Sequence, residues 1–237
     1  MADAQSTVSQ PDQPQLVGSL EHGSPEERRF ALKALVEIVP PRRSTAANRA
    51  LAKELGRVNR LVEKRLKRPG VVDSEWDNED LGDYLALLVR ANADTPDLVA
   101  LEPLIDALGT GRMAVEGVAK FGIVALDPLI RALSDQLTDP TTRTGAARCL
   151  SLLASKIRLN EAQRKRLDDV LVRILTRPER FVITAAAIDL AVNVAASDAL
   201  RIVERIAETG EASLVDADPL NRANVQARAK RALNRPR

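Results

Sequence analysis

Residues 101–133, LEPLIDALGTGRMAVEGVAKFGIVALDPLIRAL, contain the internal duplication that decides the fold of this chain. The segment LEPLIDAL at 101–108 returns as LDPLIRAL at 126–133. A further helix is predicted between the two copies, over about residues 112–121. A segment that returns within one chain is the signature of a repeat architecture. The two copies therefore predict the second helices of two successive helix pairs.

A second pattern marks where the helix pairs begin. Each start carries a proline or glycine followed closely by an arginine, at Pro25/Arg28, Gly109/Arg112, Pro140/Arg143, Pro178/Arg180 and Pro219/Arg222. From Gly109 onward, successive starts are 31, 38 and 41 residues apart. A period of about 30 to 45 residues built from helix pairs is typical of an α-solenoid. We predict an all-α fold, a right-handed α-solenoid of stacked antiparallel helix pairs with about 10 to 11 helices.

Residues that can cap a helix stand before several of these segments, where their side chains can accept a hydrogen bond from a free backbone N–H. They are Ser24, Asp139, Asn160 and Asp218, with Asp77 or Asn78 before another helix. Glu27 and Gln163 complete capping boxes. The predicted helices cover about residues 25–39, 44–68, 78–91, 101–108, 112–121, 126–133, 140–155, 161–176, 178–196, 198–209 and 219–234.

The domain organisation is predicted from composition. Residues 1–22 are expected to form a disordered tail, because the first seventeen are rich in Gln, Ser, Asp and Pro. Residues 23–237 are expected to form a single domain. That domain is irregular over 40–75, where a long basic helix precedes an acidic loop. The segment 219–237 is expected to cap the exposed C-terminal end of the repeat array.

Composition disfavours several kinds of site. Aromatic residues make up 2 per cent of the chain, which disfavours nucleobase-stacking surfaces. One histidine, His22, and one cysteine, Cys149, cannot supply a zinc site of nitrogen and sulfur ligands. The carboxylates at 73–83 lack the glycine and the final glutamate of a calcium loop. We therefore predict no catalytic residue, no metal and no cofactor.

The compartment is predicted from the same composition. No signal-peptide pattern and no unbroken apolar run of about 18 residues occurs in the sequence. A single cysteine suits a reducing compartment. We expect a cytoplasmic protein that does not enter a membrane.

The repeat pattern resembles that of HEAT repeats, and the segment 117–133, GVAKFGIVALDPLIRAL, is especially similar to the short bacterial variety. The resemblance is good over 96–209, fair over 24–39 and 219–233, and poor over 40–75. It implies helical pairs in a curved superhelix whose second helices line the concave face, with protein binding and no shared active site. It also implies that the arginines of the repeat starts pair with neighbouring repeats, namely Arg28, Arg112, Arg143 and Arg222.

Charge is divided within the N-terminal half. Residues 42–68 carry ten basic and two acidic side chains, whereas 69–111 carry ten acidic side chains and one arginine. On the long helix, the basic side chains recur every three or four residues, opposite an apolar stripe. They form either a solvated helix face or a patch for phosphates or an acidic partner. Trp76, beside the acidic segment, is either a plug over an apolar seam or an exposed interaction anchor.

The leading functional hypothesis is a non-enzymatic scaffold or adaptor that binds a protein partner along the concave face. The alternative is binding of nucleic-acid phosphates through the basic helix 42–68 and the basic C-terminus. Neither the partner's identity nor the oligomeric state follows from the sequence. The candidate partner-binding residues are Arg49, Lys53, Arg57, Arg60, Lys64, Trp76, Glu102, Asp106, Arg131, Asp135, Asp169, Arg173, Arg201 and Arg205.

Overall fold

The computed structural model describes residues 12–67, 78–95, 97–216 and 218–235. These residues contain twelve α-helices and no β-strand, so the predicted all-α class is confirmed. The helices are α1 Gln13–His22, α2 Pro25–Glu37, α3 Thr45–Lys67, α4 Asn78–Ala93, α5 Leu101–Asp106, α6 Arg112–Ala119, α7 Leu126–Ser134, α8 Pro140–Lys156, α9 Glu161–Thr176, α10 Phe181–Val194, α11 Ser197–Thr209 and α12 Pro219–Leu233. Over the described ranges, every helix is too short or too polar to cross a membrane.

The chain divides into two compact units, Met1–Pro103 and Leu104–Arg237, where the sequence predicted one domain over 23–237. In the first unit, α1 packs against α2 and α3, and α4 packs against the same two helices. The boundary falls inside the short helix α5, which a 3-10 turn at Ala107–Thr110 follows. The repeat pattern does not mark this division, because the LEPLIDAL segment itself spans it.

Part of the predicted disordered tail over 1–22 is helical, while residues 1–11 of that tail lie outside the described residues. Residues 13–22 form α1, in which Leu16 and Leu20 are buried. These two leucines lie one helical turn apart, so both face the α2 and α3 helices on which α1 packs. A stripe of only two apolar residues in a polar segment is too short to produce a clear periodic signal in the sequence.

In the second unit, the helices form two rows. In one row, α8 packs against α6 and α10, and α10 packs against α12. In the other row, α9 packs against α7 and α11. The rows are joined by contacts of α7 with α8, α9 with α10, and α11 with α12. Aliphatic side chains fill the interior, and those that are almost fully buried include Leu129, Leu133, Leu150, Leu171 and Ile188.

Gly145 allows α8 to approach the 3-10 turn that precedes α6. A Cβ atom at this position would lie 2.6 Å from the carbonyl oxygen of Leu108, a distance that real Cβ contacts do not show. The obstructing atom belongs to the backbone and cannot rotate away. Glycine is therefore required for the observed packing of α8 on this turn.

The predicted helix caps are confirmed wherever the structure describes them. Ser24 with Glu27 and Asn160 with Gln163 form complete capping boxes. Asp139 and Asp218 accept hydrogen bonds from the first turns of α8 and α12. The predicted cap at Asp77 or Asn78, the acidic loop before α4 and Trp76 lie outside the residues whose side chains are described.

The repeated arginines have different environments, although the sequence predicted one role for all four. Arg143 is buried and pairs with Glu179 of the segment that precedes α10, so it contacts the next helix pair along the chain, as the resemblance implies. Arg112 is exposed and pairs with Glu116 of its own helix, so the prediction is wrong there. Arg28 donates to the carbonyl oxygens of Gly23 and Glu21, while Arg222 is exposed.

Candidate functional site

A groove of about 620 Å³ crosses the second unit on the row that contains α8, α10 and α12. Its apolar lining comes from the turn before α6, from α8 and from α10, and consists of Leu108, Ala147, Phe181, Val182, Ala185 and Ala186. Val182 is 46 per cent exposed, which is unusual for a valine of a packed helix. The groove therefore offers apolar surface that folding leaves uncovered.

The polar lining of this groove contains three arginines and one aspartate, Arg148, Arg228, Arg235 and Asp189. The Nε atom of Arg228 lies 3.0 Å from each carboxylate oxygen of Asp189, and its Nη2 atom donates to the same carboxylate. Arg235 Nη1 lies 3.9 Å from Asp189. The hydrogen bonds to Asp189 raise the pKa of Arg228 above its ordinary value. Asp189 thus joins α10 to α12 and is already occupied by cations.

Arg148 of α8 also lines the groove, and its side chain is exposed. It forms no ion pair with any residue that the structure describes. With Asp189 held by Arg228 and Arg235, the groove carries an excess of positive charge that the described residues do not neutralise. Such a surface favours an anionic group on a binding partner.

A smaller cavity of about 200 Å³ adjoins the groove, since Asn193 lines both. Its lining includes two more arginines, Arg158 and Arg164. Arg164 is oriented by a hydrogen bond from its Nε atom to the carbonyl oxygen of Leu159 at 3.1 Å. The groove and the smaller cavity together contain five arginines and one aspartate.

Sequence reasoning missed the groove, but a signal was present. Arg148, Asp189 and Arg228 come from three successive helices of one row and are separated by about 40 residues, close to the repeat period. Polar residues that recur with the repeat period occupy equivalent positions on successive helices, so they lie on one surface of the row. The partner-binding candidates predicted from the sequence lie instead on the basic helix, at Trp76 and on the second helices of the pairs.

The candidates on those second helices lie elsewhere. All eight are exposed, and none lines the groove: Glu102, Asp106, Arg131, Asp135, Asp169, Arg173, Arg201 and Arg205. Glu102 belongs to the first unit and the other seven to the second. Since α9 packs against α11, the structure does bring Asp169 and Arg173 onto a helix adjacent to that of Arg201 and Arg205. Asp135 has a local role, because it accepts hydrogen bonds from Leu137 N and Thr138 Oγ1.

On the basic helix α3, two of the five candidates pair within the first unit. Lys53 Nζ lies 2.9 Å from Glu21, and Arg57 donates two hydrogen bonds of 2.8 Å to Glu54. Arg49, Arg60 and Lys64 are exposed and form no ion pair with the residues described. The interpretation as a solvated face therefore fits part of this helix, and the paired residues Lys53 and Arg57 are not open contacts.

Glu54 is the centre of a buried polar cluster in the first unit. Its side chain is 5 per cent exposed and accepts from Tyr84 Oη at 2.9 Å as well as from Arg57. Arg28 Nη1 lies 3.6 Å from the same carboxylate. Burial, with the negative charge of Glu54 nearby, raises the pKa of Tyr84. The cluster joins α2, α3 and α4 and is structural.

The described residues that could bind a metal ion do not form a cluster. Within the described ranges, no group of three His, Cys, Asp or Glu side chains is arranged to hold a metal ion. Cys149 is buried, and burial raises the pKa of its thiol to about 12. Its Sγ atom lies 3.5 Å from the carbonyl oxygen of Val115.

No protein-family model matches the chain, and no curated protein matches its sequence. Among solved structures, the crystal structure of an engineered protein from the Northeast Structural Genomics Consortium is similar over 94 per cent of this chain and 98 per cent of its own. The two share 19 per cent sequence identity, with a TM-score of 0.41. A similarity of this size carries no argument about fold or function.

Proposed function

We propose that this chain is a non-enzymatic scaffold that binds a partner protein, and that it is built as a HEAT-like α-solenoid. The observation that carries the proposal is the groove of about 620 Å³ on the row of α8, α10 and α12. It combines uncovered apolar surface with charged side chains from three helices. That combination is what a protein segment needs for both affinity and orientation.

The surroundings of the groove suit a rigid binding surface. Arg143 and Glu179 pair beneath the start of α10, while Gly145 lets α8 sit close to the turn before α6. Arg228 and Asp189 connect α10 to α12 along the groove itself. A surface fixed by such contacts loses little conformational entropy when a partner binds.

Affinity purification with two double variants tests this proposal. Arg148→Glu with Val182→Glu changes exposed residues of the groove, whereas Asp169→Arg with Arg173→Glu changes exposed residues on α9. We expect the wild-type chain and the α9 variant to recover the same partner protein, and the groove variant to lose it. If the α9 variant alone loses the partner, binding takes place on the row that the sequence analysis named. Retention by both variants would contradict the groove as the binding surface.

A second candidate function is anion binding through α3. The exposure of Arg49, Arg60 and Lys64 supports it, since these cations form no ion pair within the described part of the chain. Phosphate contacts of this kind weaken steeply as salt concentration rises.

The proposed compartment is the cytoplasm, which suits a chain whose single cysteine is buried and unpaired.

A further inference from the structure

We propose that the groove on α8, α10 and α12 takes an acidic, amphipathic segment of a partner protein. This inference rests on the proposed function and adds the chemistry of the partner. It is argued from the charge of the groove and of the cavity beside it, from the apolar lining, and from the scarcity of aromatic surface there.

The first argument is charge complementarity. Three arginines and one aspartate line the groove, and Asp189 is bonded to Arg228 with Arg235 nearby. Arg148 is the cation that stays available for a partner carboxylate. A guanidinium matches a carboxylate in a bidentate geometry, so each available arginine provides direction as well as charge.

The positively charged surface continues from the groove into the smaller cavity. Asn193 lines both the groove and the smaller cavity, to which Arg158 and Arg164 add positive charge. No acidic side chain is among the described residues that line the smaller cavity. A bound segment that continues past Asn193 therefore meets arginine again. An acidic segment with carboxylates spaced along its length fits this distribution, and a basic segment is repelled by it.

The apolar lining of the groove favours a peptide over a nucleic acid as the bound partner. The apolar lining is mostly small and aliphatic, and among the described residues that line the groove Phe181 is the single aromatic one. Single-stranded nucleic acids are bound on several aromatic rings that stack with successive bases. A peptide with apolar side chains instead covers Val182, Ala185 and Ala186 while its carboxylates reach Arg148. The occupant is therefore expected to be acidic on one face and apolar on the other.

Selection from a peptide library tests this inference. The probe is a phage-displayed library of random peptides of about 16 residues, selected on the full chain and then resynthesised with a fluorescent label. For this test the groove variant is Arg148→Glu with Arg235→Glu, in place of the Arg148→Glu, Val182→Glu variant used for affinity purification. Its control is Arg173→Glu with Arg205→Glu, which makes the same change of charge on α9 and α11. Circular dichroism and the melting temperature are to be measured first, to check that both variants fold.

We expect the selected peptides to be rich in Asp and Glu, with apolar residues recurring at helical spacing. They should bind the groove variant about tenfold more weakly or worse, and the control variant as tightly as wild type. Arg148→Ala alone should weaken binding severalfold, which keeps the test valid if the double variant is unstable.

Three results would overturn the inference. One is a selected population that is neutral or basic; another is equal binding by the groove and control variants. The third is tighter binding of an oligothymidine strand than of any selected peptide, which would assign the groove to nucleic acid. If the affinity-purified partner is lost with the Arg148→Glu, Val182→Glu variant but binds through a neutral or basic segment, the proposed function stands and this inference alone fails.

Discussion

Arg143 and Glu179 form an ion pair inside the second unit, with Arg143 Nη2 2.6 Å from Glu179 Oε2 and both side chains buried. The Nε atom of Arg143 also donates to the carbonyl oxygen of Leu133 at 3.0 Å. The Glu179 carboxylate in turn accepts from the backbone N–H of Arg180. One side chain of α8 therefore ties the end of α7 to the segment that leads into α10.

The first prediction is that Arg143→Met lowers the free energy of unfolding by about 3–5 kcal/mol, because it leaves the buried Glu179 carboxylate without its cation. Arg143→Met combined with Glu179→Gln should cost less than Arg143→Met alone, since no buried charge then remains and Gln keeps an acceptor for Arg180 N. Urea unfolding of wild type, both singles and the double checks this. A cost under about 1 kcal/mol for Arg143→Met would show that the pair is not needed for stability.

This pair shows how far the sequence predicts the structure. Both Arg112 and Arg143 stand three residues after a predicted repeat start, and of these two only Arg143 pairs with a residue outside its own helix. Its partner, Glu179, comes from a segment 36 residues later, and nothing at Arg143 itself specifies that partner. Helix positions and caps depend on neighbouring residues and are predictable. Pairing between repeats depends on the packing of distant segments and is not.

The groove illustrates the same limit for the candidate site. Its polar residues Arg148, Asp189 and Arg228 each occur on a different helix, and none stands in a local motif. Only their spacing of about 40 residues relates them. That spacing points to a binding surface only when it is known that the row of α8, α10 and α12 carries an exposed groove. The basic helix was predictable as a charged face, but the burial of Glu54 behind Arg57 was not.

A second prediction concerns the core of α8. Leu150 is 1 per cent exposed, so Leu150→Ala should lower the free energy of unfolding by about 2–5 kcal/mol through lost burial and a new cavity. Leu137→Ala is the matched control, since Leu137 is 95 per cent exposed and should change stability by less than about 0.5 kcal/mol. Because neighbouring helices support one another, hydrogen exchange should also accelerate in α10. Equal effects of the two substitutions would contradict the burial of Leu150.

A third prediction concerns the start of α11, which has no side-chain cap from its own N-cap residue, Ala196. Asp168 of α9 provides one, with carboxylate oxygens 3.0 and 2.9 Å from the backbone nitrogens of Asp198 and Ala199. Asp168→Ala should therefore cost about 0.5–2 kcal/mol, the usual range for a lost cap. Asp169→Ala, at the exposed neighbouring position, should cost much less. Thermal unfolding of both variants checks this, and indistinguishable melting temperatures would exclude the cap.

A fourth prediction concerns Cys149, whose thiol has its pKa raised to about 12 by burial. At pH 8 it should react with dithionitrobenzoate about a thousandfold more slowly in the folded protein than in urea. Because the folded pKa is the higher one, the contribution of the neutral thiol to stability is complete below about pH 8.5 and declines as pH rises toward 12. Cys149→Ala should remove that decline. Rapid labelling without denaturant would contradict the burial of the thiol.

The last prediction separates the residues of α3 by their partners. Arg57→Glu should lower the free energy of unfolding by at least about 3 kcal/mol, because it places a second carboxylate beside the buried Glu54. The triple change of Arg49, Arg60 and Lys64 to Glu should alter stability far less, since these side chains are exposed and form no ion pair with the residues described. Urea unfolding measures both effects.

The same triple variant tests the nucleic-acid alternative without the loss of stability that Arg57→Glu is expected to cause. Gel shifts with random duplex DNA at physiological salt should show no binding by wild type, because three exposed cations on one helix release too few counterions for tight binding. If wild type binds such DNA tightly and the triple variant does not, α3 is a phosphate-binding surface. Nucleic-acid binding would then replace the scaffold as the leading function. If the triple variant unfolds as readily as Arg57→Glu, then Arg49, Arg60 and Lys64 have internal partners, and the assignment of an exposed face to α3 is wrong.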